Sequence, residues 1–380
     1  MGHKAISLFS GGGGIDCGLD AAGFNSVVCV DMDAACAASL AANVTGHVIC
    51  AEIAGVTAKK LLAAAQARRG EIDLIAAGPP CQPFSKSANW RYGAPLGLSD
   101  PRAQSLDHMM SIIEGVLPQV VLIENVPGFA KKGAGSAIAF VEAELAKINE
   151  RQRSSYRVSS FLVDAADYGV PQHRRRFIAV ADRDGREFQA PEPTHGPRGV
   201  EPYVTAWDAI GDLRRADMGE DLRVRGRWAE LLPSIPEGEN YLWHTPRGGG
   251  VPLFGYRTRY WSFLLKLAKA RPAWTLAANP SQNSGPFHWD DRLLSVREIA
   301  RLQSFPDTWT LVGSRAQQVR QLGNAVPPLL GEVIAREIGR QLLGKRGRRS
   351  APRLALPARG APPSAREPAD VPRSYLRLVG

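Results

Sequence analysis

Short runs of almost wholly apolar residues recur along the first half of the chain, each closed by a glycine, a proline or an acid. Residues 5–9 (AISLF), 26–30 (SVVCV), 72–77 (IDLIAA) and 120–123 (VVLI) lack the strict alternation of a half-exposed strand. They read as strands buried on both faces, as in a parallel sheet. Residues 47–50, 156–163 and 177–180 read as further strands. Between them, residues 15–22, 33–43 and 57–69 carry helical patterns. Strands alternating with helices predict an α/β fold with a Rossmann-like sheet.

The pattern fails after Asp182. Residues 184–291 are rich in Pro and Gly, poor in periodicity, and hold six of the eight tryptophans. Arginines are interleaved with them: Arg214, Arg215, Arg223, Arg225, Arg227, Arg247, Arg257 and Arg259. This stretch reads as a second, smaller domain. Mixed aromatic and basic residues suit a nucleic-acid face, although a small domain also needs aromatics to fill its core. Order returns at Leu293. Ser295 followed by Glu298 is a capping box opening a helix over 296–304. A last amphipathic helix runs to about residue 343, and the Arg-, Pro- and Ala-rich residues 344–380 read as a disordered basic tail. The expected organisation is thus 1–183 and 292–343 in one domain with 184–291 inserted.

A length of 380 residues accommodates two domains. No apolar run reaches transmembrane length and the start carries no targeting pattern, which predicts a soluble, cytoplasmic protein with no membrane partner. The five cysteines form no CxxC pair and no zinc-like spacing, so neither disulfides nor a metal is expected. The net charge of +10 tells little about partners, because nine basic and two acidic residues from Lys345 onward supply most of it.

The candidate chemistry lies where the strands end. The first strand runs into Phe9 and Ser10-Gly11-Gly12-Gly13-Gly14, then a helix: a turn through which backbone can approach a ligand closely. The second strand ends at Asp31, 20 residues after Gly11, about the offset of a ribose-binding carboxylate. A tight turn with a helix-capping Asp would look the same. The 72–77 strand meets Gly78, Pro79 and Pro80, which present Cys81 in a stiff loop. A free cysteine is more often a small buried hydrophobe, but at a parallel strand end it also reads as a nucleophile. Residues 82–102 read as a functional loop, a lid over Cys81. Glu124 ends the 120–123 strand at the same sheet edge. In Gln172-His173-Arg174-Arg175-Arg176, alternation puts Gln172, Arg174 and Arg176 on one face, a set suited to an anion or a carbonyl.

In order, FSGGGG, GPPCQPFS, ENVPG, QHRRR, REIARLQSFPD and QLGNAVPP resemble the motifs of the DNA (cytosine-5)-methyltransferase family, over about residues 4–343. The resemblance implies a Rossmann-like methyltransferase domain, S-adenosyl-L-methionine as cofactor and duplex DNA as partner, read by an inserted target-recognition domain. It implies Cys81, Glu124, Arg174 and Arg176 as catalytic residues, with Phe9, Gly11, Gly13, Gly14, Asp31, Glu52, Pro79 and Asn324 around the cofactor. Glu52 departs from the family's usual Asp near the adenine amino group. In the implied reaction Cys81 adds to carbon 6 of a flipped-out cytosine and Glu124, as the acid, donates to ring nitrogen 3. Arg174 holds the carbonyl at position 2, and Arg176 buttresses Glu124 or Cys81. A tRNA cytosine-5 methyltransferase is the alternative within this chemistry, modestly disfavoured by the size of the insertion. A dinucleotide oxidoreductase would explain the first unit alone, and a catalytically dead relative would lack the reactive residues present here. A monomer is expected, with a cognate restriction endonuclease as a possible companion in the same system.

Overall fold

A computed structural model of the chain describes residues 2–80, 104–130, 136–213, 219–257, 260–345 and 350–377. Seven strands form one sheet: β1 (His3–Leu8), β2 (Phe24–Asp31), β3 (His47–Cys50), β4 (Leu74–Ala77), β5 (Val120–Asn125), β6 (Arg157–Asp164) and β7 (Arg175–Asp182). Their order is β3-β2-β1-β4-β5-β7-β6. β7 is antiparallel to both neighbours, and the pairings from β3 to β5 are parallel. The chain leaves β1 in one direction for β2 and returns on its other side for β4. A crevice therefore opens at the carboxyl ends of β1 and β4, where open α/β sheets bind ligands.

Helices cover both faces, and the strands alternate between them. Ile6, Leu8, Val121 and Ile123 face one apolar cluster with Leu61, Met109, Ile113 and Leu145. These last come from α3 (Ala58–Ala64), α4 (Gln104–Val116) and α5 (Ala137–Gln152). Ala5, Val120 and Leu122 face the opposite cluster with Ile15, Leu19, Leu330 and Ile334. α1 (Gly14–Ala21) and α9 (Pro328–Gln341) supply those. They pack closely: a Cβ on Gly18 would lie 2.5 Å from the Pro328 carbonyl oxygen, so only glycine fits there. α2 (Ala34–Asn43), capped by the Asp33 side chain, completes the β2–β3 crossover.

Beyond β7, regular structure is sparse: α6 (Ala206–Ile210), then short 3₁₀ turns. A third apolar cluster joins α6 and Trp289 to α7 (Val296–Leu302) and α8 (Arg315–Asn324). A fourth gathers Leu231, Leu232, Ile235, Tyr241, Leu264, Phe287 and Tyr375. The capping box read at Ser295 and Glu298 is present, and Arg292 binds the same carboxylate in two places.

The expectation of a disordered tail does not hold for residues 350–377. The fully buried Glu332 carboxylate of α9 accepts the backbone N–H of Arg353 at 2.7 Å and of Leu354 at 2.9 Å. The segment then crosses the molecule to α10 (Arg373–Leu376), where Tyr375 joins the fourth cluster. Composition concealed this, because widely spaced Leu, Val and Tyr anchors carry no periodicity.

Candidate active site

The glycine turn after β1 is held from two sides. Asp31, at the end of β2, accepts the Gly11 N–H on one oxygen at 2.7 Å and the Asp33 N–H on the other at 2.9 Å. Burial pushes the Asp31 carboxyl above the ordinary carboxylate value, partly offset by these bonds. From beneath, Ser10 Oγ donates to Ser7 Oγ, and Ser7 Oγ donates to the buried Asp16. Ser26 and Cys29 bond the same carboxylate, linking turn, α1 and β2. Phe9 and Gly11 both have positive φ, near 57° and 56°, which turns the chain sharply over the crevice.

The four glycines differ in what they face. A Cβ on Gly11 would meet nothing within 4 Å, so this is the one that borders open space. A Cβ on Gly13 would strike Trp309 and Leu40, and one on Gly14 would strike the Val326 carbonyl and Ala325. Gly13 and Gly14 therefore let the returning segment 305–326 pack onto the turn, where Trp309 Nε1 donates to the Gly12 carbonyl at 3.0 Å. Glu52 is exposed just beyond β3, whose register sets Cys50 beside Asp31. Asn324, exposed, ends α8.

The second half of the crevice lies between β4 and β5. Gly78 follows Ala77, which pairs with Ile123, so the next residue of β5, Glu124, reaches it: a Cβ on Gly78 would stand 3.7 Å from Glu124 Oε2. Asn125 Nδ2 donates to the carbonyl of buried Pro79 at 2.9 Å, pinning the root of the proline loop to the end of β5. Arg176 Nε lies 2.6 Å from Glu124 Oε1. The pairing follows from register, because Glu124 opposes Ile178 on antiparallel β7 and Arg176 is the same-face residue two positions away. Cys81 and the loop 82–102 lie outside the described residues.

Arg174 is not brought to Glu124. Burial alternates as expected: His173 and Arg175 are the more exposed, Gln172 and Arg176 are buried, and so is Arg174. Its buried guanidinium instead donates to the carbonyls of Gly323 at 2.7 Å, Ala325 at 2.9 Å and Leu276 at 3.3 Å. Two of these flank Asn324. Gln172, fully buried, works the same junction, accepting from Leu276 N and donating to Leu302 O.

A sequence profile for C-5 cytosine-specific DNA methylases matches residues 3–340. The chain belongs to the C-5 cytosine-specific DNA methylase family. It is 34% identical over 376 residues to the type II methyltransferase M.SacI of Streptomyces achromogenes, covering 90% of this chain and 94% of that one. It is 37% identical over 239 residues to M.AquIA of Picosynechococcus, 59% of this chain and 94% of that one. An E. coli prophage protein solved as a candidate DNA modification methyltransferase shares the fold, with a TM-score of 0.63, 23% identity, and coverage of 90% of this chain and 100% of that one. Spodoptera frugiperda DNMT2 does so at a TM-score of 0.59 and 16% identity, over 87% of this chain and 97% of that one. The chain is accordingly a DNA (cytosine-5)-methyltransferase.

Three residues of this methylase escaped the sequence reading as contributors to the site: Asn125, which bonds the Pro79 carbonyl; Asp16, which anchors the glycine turn; and Trp309, which docks the returning segment. A polar residue inside an apolar helix face was the only signal for Asp16. Among the described residues no cluster of His, Cys, Asp and Glu is arranged to hold a metal ion, and no helix is long and apolar enough to cross a membrane.

Proposed function

We propose that the enzyme methylates carbon 5 of a cytosine flipped out of a specific duplex DNA sequence, with Cys81 as nucleophile and S-adenosyl-L-methionine as methyl donor. The observation that carries the reading is the Glu124–Arg176 pair, set at the foot of the loop that leads through Pro79 to Cys81.

The crevice fits the cofactor. A Cβ on Gly11 would meet open space, the Asp31 carboxylate at the end of β2 is half-buried, and Glu52 beyond β3 and Asn324 at the end of α8 are exposed. Phe9, Gly11, Asp31, Glu52, Pro79 and Asn324 would hold S-adenosyl-L-methionine, with the backbone of Gly13 and Gly14 shaping the floor. Bound there, it supplies an electrophilic methyl group for carbon 5.

The chain's own groups prepare the base. The Cys81 thiolate adds to carbon 6, forming a C–S bond as the carbon 5–carbon 6 π electrons shift to make carbon 5 nucleophilic. Glu124 shares a proton with ring nitrogen 3, so negative charge does not accumulate on the ring. Arg176 holds the Glu124 carboxyl through Nε, donates from Nη1 to the Arg175 carbonyl, and offers Nη2 to the carbonyl at position 2. Arg174 positions Asn324 rather than the base. After methylation a base removes the carbon 5 proton, and its electron pair restores the double bond and expels Cys81. Flipping costs a few kcal/mol, met by the protein–DNA contacts of the target-recognition domain, which we assign to 184–291.

Duplex DNA carrying 5-fluorodeoxycytidine tests this reading, since fluorine at carbon 5 blocks the elimination step. Wild-type enzyme with cofactor should form a covalent complex that survives denaturation, and Cys81→Ala should form none. Methyl transfer confined to tRNA, or a covalent complex retained by Cys81→Ala, would contradict it.

A further inference from the structure

The segment 350–377 is the longest stretch whose structure the catalytic reading leaves unused. It reaches three of the four apolar clusters. Leu354 packs on the sheet-side cluster of α1 and α9, and Leu356 on the cluster around α6, α7 and α8. Arg359 donates from its backbone N–H and its Nε to Asp208 of α6, at 2.8 and 2.7 Å, and its guanidinium lies 2.8 Å from Asp212. Farther along, Arg366 pairs with Asp290, and Ala369 N–H donates to Pro233 O. Val371 and Tyr375 end in the fourth cluster.

Tyr375 is 7% exposed and stacks on Trp228 at 5.7 Å with rings 20° apart. Its hydroxyl donates to the Arg227 carbonyl at 2.7 Å. Residues 221–227 have no helix or strand of their own; the buried Leu222, whose carbonyl accepts the Leu293 N–H, anchors one end, and Tyr375 holds the other. They carry Arg223 and Arg225, about two-thirds exposed, which share the single carboxylate of Asp221. Two exposed guanidiniums on one exposed carboxylate form a weak pair and retain donors for DNA phosphates. Arg225, Arg227, Ser374 and Tyr375 line one groove of about 720 Å³.

We propose that residues 350–377 are a strap that fixes the arginine segment 221–227 for contact with the DNA backbone, with Tyr375 as its positioning residue. The proposal rests on the DNA reading above for its partner. Its mechanical part stands on the contacts alone. A freely moving arginine segment would pay ordering entropy on binding, and the strap removes that cost beforehand.

Tyr375→Ala and Tyr375→Phe in the full chain test it by two readouts. Loss of the stack and hydroxyl in Tyr375→Ala should speed amide hydrogen exchange of residues 222–228 about tenfold and raise KM for DNA about tenfold, with kcat at saturating DNA and S-adenosylmethionine affinity near wild type. Tyr375→Phe keeps the ring and should lose only about threefold in each. Unchanged exchange in Tyr375→Ala would overturn the strap, as would cofactor affinity falling in step with DNA KM. Failure of the wild type to methylate any DNA would instead overturn the proposed function, and the exchange result would still decide the strap.

Discussion

Arg176 and Glu124 form a 2.6 Å ion pair in which both side chains are only 10% exposed. A pair so buried is costly to break from one side. Arg176→Ala leaves the buried Glu124 carboxylate without its cation, a loss of about 3–5 kcal/mol where such pairs have been broken. The expected outcome is a fall in kcat of at least about a hundredfold with cofactor affinity retained, since a lost 1.4 kcal/mol of transition-state stabilisation is about tenfold in rate. Steady-state kinetics alongside cofactor titration checks this. Arg176→Lys should recover little, because a lysine has no planar fork.

Arg174→Ala should behave differently. Three backbone carbonyls, two of them flanking Asn324, lose a charged donor. Each such bond contributes about 1.5–3 kcal/mol. The variant should melt several degrees lower and bind S-adenosylmethionine about tenfold more weakly, assuming roughly 1.4 kcal/mol of positioning is lost. Calorimetric melting and cofactor titration separate it from Arg176→Ala.

Two glycine variants divide the turn by function. Gly14→Ala drives a methyl group into the Val326 carbonyl and should impair folding, seen as insoluble expression or a strongly lowered melting temperature. Gly11→Ala meets no atom and suffers only its left-handed φ of 56°, a strain of about 1–2 kcal/mol. It should stay folded and lose cofactor affinity.

His173 gives a pH signature. Its Nδ1 lies 3.1 Å from Asp164, and that hydrogen bond raises its pKa above the ordinary histidine value. A group raised on folding stabilises the fold fully below its unfolded pKa and loses that contribution as pH rises through the folded one. Stability of the wild type should therefore decline across that window by more than that of His173→Asn. Denaturant melts at several pH values measure the difference.

Much of this fold was legible because burial on both faces leaves uninterrupted apolar runs, as in Val120-Val121-Leu122-Ile123. Glu124 and the root of the Cys81 loop were placed by the same signal, since a parallel sheet gathers its strand ends at one edge. Alternation also put Arg174 on the buried side with Gln172 and Arg176, but the carbonyls it bonds, those of Leu276, Gly323 and Ala325, lie more than a hundred residues away and leave no local pattern. Gly13 and Gly14 resembled ligand-facing positions, and their missing side chains also admit Trp309 and Val326, contacts from the far part of the chain that local patterning does not encode. Tyr375 was lost in an arginine- and proline-rich stretch for the same reason.

The most direct measurement is genome-wide bisulfite sequencing of a methylation-free host expressing the wild type or Cys81→Ala. The account predicts 5-methylcytosine at one short sequence in the wild type and none in the variant. Methylation that persists in Cys81→Ala, or an unmodified genome in cells holding soluble, cofactor-binding wild type, would contradict it.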